Sequence, residues 1–123
     1  MRFRSALRTV TILYKICPAP LWSEAERTGV FRGSEVDRRD GFIHFSSAAQ
    51  VAETAAKHFA GQGDLLLVRV DAITLGNRLK WEPSRGGALF PHLYGDLDLT
   101  LVTRVDLLPL GPDGRHAFPP LND

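Results

Sequence analysis

The sequence predicts an α+β domain, not a regularly alternating α/β one. Three observations carry this. In the first half, strand-like and helix-like segments take turns; in the second half, short extended pieces are separated by glycine turns. A hydrophobic fraction of 44% in 123 residues supplies enough apolar side chains for one core. A domain of this size buries roughly two thirds of its unfolded surface and needs no disulfide or metal staple.

Residues 1–8, with Arg2, Arg4 and Arg8, read as a short basic tail. The β-branched and aromatic run Thr9 to Cys17 predicts a strand, and Pro18 and Pro20 predict a helix entry directly after it. Leu21, Trp22 and Ala25 fall at helical spacing between Pro20 and Arg27, and Gly29 is the expected stop. Residues 32–40 read as a charged loop leading through Gly41 to a brief strand over Phe42 to Phe45. Ser47 and Gln50 form a capping-box pattern. After it, Ala48, Val51, Ala52, Ala55, Ala56 and Phe59 share one side of a helix, and Glu53 and Lys57 pair on the other.

Gly61 and Gly63 end that helix. The near-continuous apolar run Leu65 to Asp71 predicts a central strand covered on both faces. Beyond Gly76 the extended pieces are Arg78 to Glu82, Leu89 to Tyr94 and Leu99 to Leu110, divided by turns at Gly86-Gly87 and Gly95-Asp96. The expected organisation is therefore a tail over 1–8, a single α+β domain over 9–110 and a proline-rich irregular tail over 111–123. Small antiparallel or mixed sheets, with two or three short helices packed alongside, satisfy this pattern.

Fifteen basic and fourteen acidic side chains leave a net charge of +1, which removes the electrostatic case for a nucleic-acid partner. Apolar runs are too short for a membrane span. Cys17 is the single cysteine, so no intrachain disulfide or cysteine cluster for zinc can form, and a reducing cytoplasm is the expected location.

Two segments hold polar and aromatic groups that a simple core does not require. In Asp40-Gly41-Phe42-Ile43-His44-Phe45-Ser46-Ser47, alternation puts Phe42, His44 and Ser46 on one face and Ile43 and Phe45 on the other. If the latter two enter the core, His44 and Ser46 look into a cleft or into solvent, and Ser46 lies just before a helix start that favours anions. The plainer alternative is that Ser46 or Ser47 only caps the helix and His44 is a satisfied, half-buried residue.

The second segment, Phe90-Pro91-His92-Leu93-Tyr94-Gly95-Asp96, places Phe90, His92 and Tyr94 on one face if extended. Pro91 cannot donate to a ladder, so this strand is expected at an edge or interrupted. Glu82, between Trp81 and Pro83, is a carboxylate beside aromatics that can stabilise a developing cation or lie in an ordinary surface turn. His58 and His116 are expected at the surface. A metal site would have to recruit His44 and His92 with Asp96 or Glu82, and no histidine pair at helical spacing supports one. Cys17 has no adjacent base and is expected to be inert packing.

Together, the Ile12-Leu13-Tyr14-Lys15-Ile16 strand and these two segments resemble the bacterial domain of unknown function 952, over about Thr9 to Leu110. The resemblance implies a fold similar to that of ADP-ribosyltransferases, with two small sheets enclosing a cleft for a nicotinamide dinucleotide. It implies NAD as a substrate, no metal, and a small-molecule nucleotide as the partner. Cleaving the nicotinamide glycosidic bond requires polar groups for ribose and pyrophosphate, an aromatic wall and usually a carboxylate. His44, His92, Tyr94 and Glu82 are then the catalytic candidates, and Tyr14, Phe42, His44, Ser46 and Tyr94 the cofactor-binding ones, with Lys15 beside them. The sequence departs from the superfamily pattern in having no glutamate after Glu82. Glu82 or Asp96 takes its place, the histidines carry the reaction, or the domain binds a nucleotide without cleaving it. A noncatalytic nucleotide-binding or interaction module on the same fold is the main alternative, and a histidine-based hydrolase or isomerase that ignores NAD is the second.

Overall fold

The computed structural model describes residues 10–122, so the basic tail over 1–8 lies outside the described residues. In chain order the elements are β1 (Ile12–Pro18), α1 (Ala19–Thr28), β2 (Val30–Phe31), α2 (Glu35–Asp40), β3 (Ile43–His44), α3 (Val51–His58), β4 (Leu65–Asp71), β5 (Leu79–Pro83), β6 (Leu89–Leu93), β7 (Leu97–Asp98) and β8 (Val102–Leu107). Short 3₁₀ segments occupy Ala72–Arg78, Arg85–Gly87 and Leu99–Leu101. The domain is α+β: three antiparallel sheets, in strand orders β1-β4-β8, β2-β7 and β3-β6-β5, with short helices against them.

The apolar run Leu65 to Asp71 is central in its sheet, as its composition requires. Its two faces feed two clusters. Val68 and Val70 join Leu13, Cys17, Trp22 and Phe31, while Leu65 and Leu67 join Tyr14, Ile16, Val51 and Leu108. The alternation in the first polar segment also holds: Ile43 and Phe45 are buried in the first cluster. Tyr14 and Ser46 exchange backbone hydrogen bonds of 2.8 and 2.9 Å, which ties the end of β3 to β1 and brings two sheets together.

Several local expectations need correction. Residues 32–40 are not a loop: α2 forms there because Ser34 and Asp37 make a reciprocal capping box, and Gly41 closes it in the left-handed conformation. The strand containing Pro91 is not at an edge but lies between β3 and β5. Proline is tolerated there because its carbonyl accepts from the Phe45 amide at 3.0 Å just past the end of the two-residue β3. The missing N–H points to that same side, where the ladder has stopped.

Helix α3 starts at Val51, later than the capping pattern suggests. Only half of the box forms, with the Ser47 amide donating to Gln50 Oε1 at 3.0 Å. Ala52 and Ala56 are exposed, whereas Val51 and Ala55 are buried and Glu53 meets Lys57 at 3.7 Å. The piece expected over Leu99 to Leu110 is a 3₁₀ turn followed by β8. Beyond it, residues 111–122 are irregular but anchored: Tyr14 Oη donates to the Asn122 carbonyl at 2.8 Å, and Arg69 donates to Pro120 at 2.8 Å. His116 is half-buried, with Nε2 2.8 Å from the Gln62 carbonyl, and so is not a free surface residue.

Candidate functional site

His44 on β3 and His92 on β6 are direct register partners, so strand pairing alone puts both side chains on one face. Their ring centroids lie 5.4 Å apart. Phe42 stacks on His92 with centroids 4.0 Å apart and an interplanar angle of 22°, and it also touches His44 at 4.6 Å and Tyr94 at 5.3 Å. The two segments therefore converge on one aromatic group. Beside it opens a cavity of about 740 Å³ whose wall includes Lys15, Asp37, His44, Ser46, Thr54 and His92. Phe42, Glu82 and Tyr94 stand outside that wall, next to His92.

The two imidazoles are held differently. Asp37, missed when residues 32–40 are read as a loop, is 2% exposed and gathers donors from three elements. Its Oδ1 accepts from His44 Nδ1 at 2.7 Å, the His44 amide at 3.1 Å and Lys15 Nζ at 3.0 Å. Its Oδ2 accepts from the Ser34 amide at 2.9 Å and lies 2.8 Å from Lys15 Nζ. Burial pushes this carboxyl up, but the His44 hydrogen bond, the Lys15 charge and the remaining donors outweigh it and hold the group far below the usual carboxylate range. The other ring nitrogen, His44 Nε2, is 3.0 Å from Asp40 Oδ2. Hydrogen bonding from Arg39, with a smaller part from His44, lowers the Asp40 carboxyl.

Two glycines make this geometry possible. Gly41, at φ 90°, turns the chain back so that His44 returns over the helix that carries Asp37. Gly33 leaves room for the Asp37 side chain: a Cβ there would stand 2.8 Å from Asp37 Cβ.

Among the described residues, His92 has one carboxylate partner. Its Nδ1 is 2.8 Å from Glu82 Oε1, which also accepts from Tyr94 Oη at 2.8 Å. These bonds, the His92 one first, lower the Glu82 carboxyl, and the same contact with Glu82 raises the Tyr94 phenol. The His92 side chain is only 5% exposed and lines the cavity, and its Nε2 has no partner among the described residues.

The remaining candidates are placed as follows. Ser46 Oγ is 2.9 Å from Thr54 Oγ1 on the cavity wall. Tyr14 contributes to the wall, but its hydroxyl is engaged by Asn122. Asp96 lies away from the cluster, 3.7 Å from Arg32 on the surface, so Glu82 is the carboxylate that accompanies the second segment. His58 is exposed yet borders the cavity. Cys17 is buried, which pushes its thiol up to about 12. Among the described residues no group of three or more His, Cys, Asp and Glu side chains is arranged to hold a metal ion, and no helix is long and apolar enough to cross a membrane. Asp37 and Asp40 escaped the reading of residue types, although Ser34-x-x-Asp37 is a legible capping signal.

The chain is similar to solved structures of protein CC0527 from Caulobacter crescentus. The crystal structure is 51% identical, covers 87% of this chain and 94% of that one, and superposes with a TM-score of 0.84. The solution structure is 52% identical over 85% and 90% of the two chains, with a TM-score of 0.78. No curated protein matches the chain. The family described as "Protein of unknown function (DUF952)" matches residues 16–105, a span that takes in both histidine-bearing segments and the strands that pair them, and the chain belongs to that family.

Proposed function

We propose that this domain has an ADP-ribosyltransferase-like fold and binds NAD or an ADP-ribose-containing nucleotide in the cavity, where it cleaves or transfers at the nicotinamide glycosidic bond. The observation that carries the chemistry is His92: a buried imidazole with Nδ1 fixed by Glu82 and Nε2 without a partner at the cavity wall. Such a ring is oriented and ready to exchange a proton at one atom. In the hydrolytic form, the bond from ribose C1′ to nicotinamide breaks and nicotinamide leaves with the electron pair. Water then attacks C1′ and gives its proton to His92 Nε2. The Glu82 carboxylate balances the charge gained by His92. Ser46 and Thr54 supply hydroxyls suited to ribose, while Phe42 stacks on His92 and Tyr94 shares Glu82 with it from outside the cavity wall.

Incubating the purified protein with NAD and following nicotinamide by chromatography tests this reading. Release that disappears in His92→Gln supports it. Binding of NAD without release reduces the domain to a nucleotide-binding module. No resonance change at His44, His92 or Tyr94 with millimolar NAD or ADP-ribose removes the nucleotide. The 5.4 Å separation of the two imidazoles favours a second reading, an acid and base pair in a hydrolase or isomerase that does not use NAD. A bell-shaped pH profile on a non-nucleotide substrate would identify it.

A further inference from the structure

We infer that the outer edge of β8 is the surface by which two copies of this chain associate: the two strands pair antiparallel with Val105 opposite Val105, and two three-stranded sheets become one of six strands. Association by this edge is independent of what the cavity binds.

The two edges of the β1-β4-β8 sheet differ. On the β1 side, Tyr14 exchanges backbone hydrogen bonds with Ser46, so that edge is covered by the chain itself. On the β8 side, no further strand follows among the described residues. The direction of the backbone groups there is set by the ladder to β4, which pairs Leu66 with Leu107, Leu67 with Asp106, Val68 with Val105 and Arg69 with Arg104. The Leu108 amide donates to the Leu65 carbonyl at 2.9 Å, and in an antiparallel ladder the N–H and C=O of one residue share a side that alternates along the strand. Asp106 and Arg104 therefore turn their backbone groups to β4, whereas Thr103, Val105 and Leu107 turn theirs outward. Val102–Leu107 contains neither lysine nor proline, the usual guards of an open edge.

These outward residues are symmetric about Val105. Under a two-fold axis there, Val105 exchanges both backbone hydrogen bonds with its own copy, and Thr103 does the same with Leu107. The ladder ends where Pro109, next in the outward series, has no N–H to give, and at the 3₁₀ turn Leu99–Leu101 on the other side. The side chains follow the same symmetry. Val105 and Leu107, opposite Val68 and Leu66, carry the first apolar cluster out to the edge, where they are 40% and 75% exposed. On the other face, this register sets Arg104 opposite Asp106 of the second copy, and the reverse, as favourable cross-strand pairs. Within one chain Arg104 reaches only along its own strand to Asp106 at 2.9 Å, and its direct neighbour on β4 is the like-charged Arg69. A slip of two residues in either direction would set Arg104 against Arg104 or Asp106 against Asp106. A strand complementary to itself in one register selects a second copy over an unrelated strand.

One ladder this short buries less than about 1,200 Å², so the dimer is weak and reversible. Sedimentation velocity of the full chain, from about ten micromolar to about one millimolar, is expected to move from monomer to dimer. Val105→Lys sets two like charges directly opposite each other and is expected to weaken association by about tenfold or more, with thermal unfolding showing that the variant is folded. The register is read separately, by single cysteines under oxidised glutathione, since Cys17 is buried. Val105→Cys is expected to form a disulfide-linked dimer, because the Cα atoms of a directly opposite pair stand about 5.5 Å apart. Thr103→Cys and Leu107→Cys are expected to link when mixed and not when alone. A wild type that stays monomeric at every concentration overturns the inference and leaves the edge to a strand of another protein. A dimer indifferent to a folded Val105→Lys overturns it, and so does Leu107→Cys linking to itself as readily as Val105→Cys. If Val105→Lys does not fold, the cysteine variants decide by the same outcomes.

Discussion

His44 and His92 face each other across one strand pair, yet their surroundings are opposite in kind. The His44 side is a charge network drawn from β1, α2 and β3 around the buried Asp37. The His92 side is a single carboxylate at the rim, shared with a tyrosine. One ring is held from several elements, and the other leaves its Nε2 without a partner among the described residues. The comparison teaches that two histidines each backed by a carboxylate still differ in what the second ring nitrogen meets: Asp40 Oδ2 at 3.0 Å for His44, and no partner among the described residues for His92.

The comparison is broken most forcefully by disturbing the buried charges. Asp37→Ala leaves Lys15 buried without its counter-charge, and a loss of about 3 kcal/mol or more is expected in urea unfolding. Glu82→Gln, on the partly exposed side, is expected to leave the unfolding midpoint close to that of the wild type. Equal sensitivity of the two would erase the distinction between the two sides. The proposed NAD cleavage sharpens it next: in that reaction His92→Gln is expected to lower kcat by about a hundredfold or more, whereas His44→Gln, at a cofactor-binding candidate, should act mainly on KM. The reverse split would exchange their duties.

A smaller effect comes from Gly33→Ala. It adds a Cβ 2.8 Å from Asp37 Cβ at a residue with φ of 100°, and a loss of about 1 kcal/mol or more is expected, with displacement of the His44 ring signals. Acid acts through the same carboxyl. The folded-state pKa of Asp37 lies below its unfolded value of about 3.9, so its contribution is fully present above that pH and is lost as the pH falls further. Acid titration of the unfolding free energy should show this limb, and it should vanish in the double variant Lys15→Met, Asp37→Asn. Least in size, Cys17 is expected to resist thiol reagents until the chain unfolds, because burial raises its pKa to about 12. Rapid labelling of the native protein would contradict its place in the core.

The parts of the fold that were legible in the residues are those with strong local signals. The ends of α1, the apolar run of β4 and the inward facing of Ile43 and Phe45 all follow from proline, glycine and alternation. Helix α2 was hidden because Glu35–Asp40 is almost wholly charged and offers no apolar periodicity, although its capping residues were present. The Pro91 strand misled for a different reason. A proline excludes a strand from a sheet interior only if a partner needs its N–H, and here the partner strand ends first.

Local chemistry determined that His44 and His92 lie on polar faces of extended segments, that Ile43 and Phe45 enter the core, and that Glu82 is the last glutamate of the chain. Such properties depend on neighbours a few positions away. Only the tertiary structure decided that the two rings meet, that Asp37 orients one and Glu82 the other, and that Asp96 stands apart. Hydrogen bonds and ion pairs act over a few ångströms, and residues separated by seven to about fifty positions come within that range only when a turn, strand pairing and core burial have set the register.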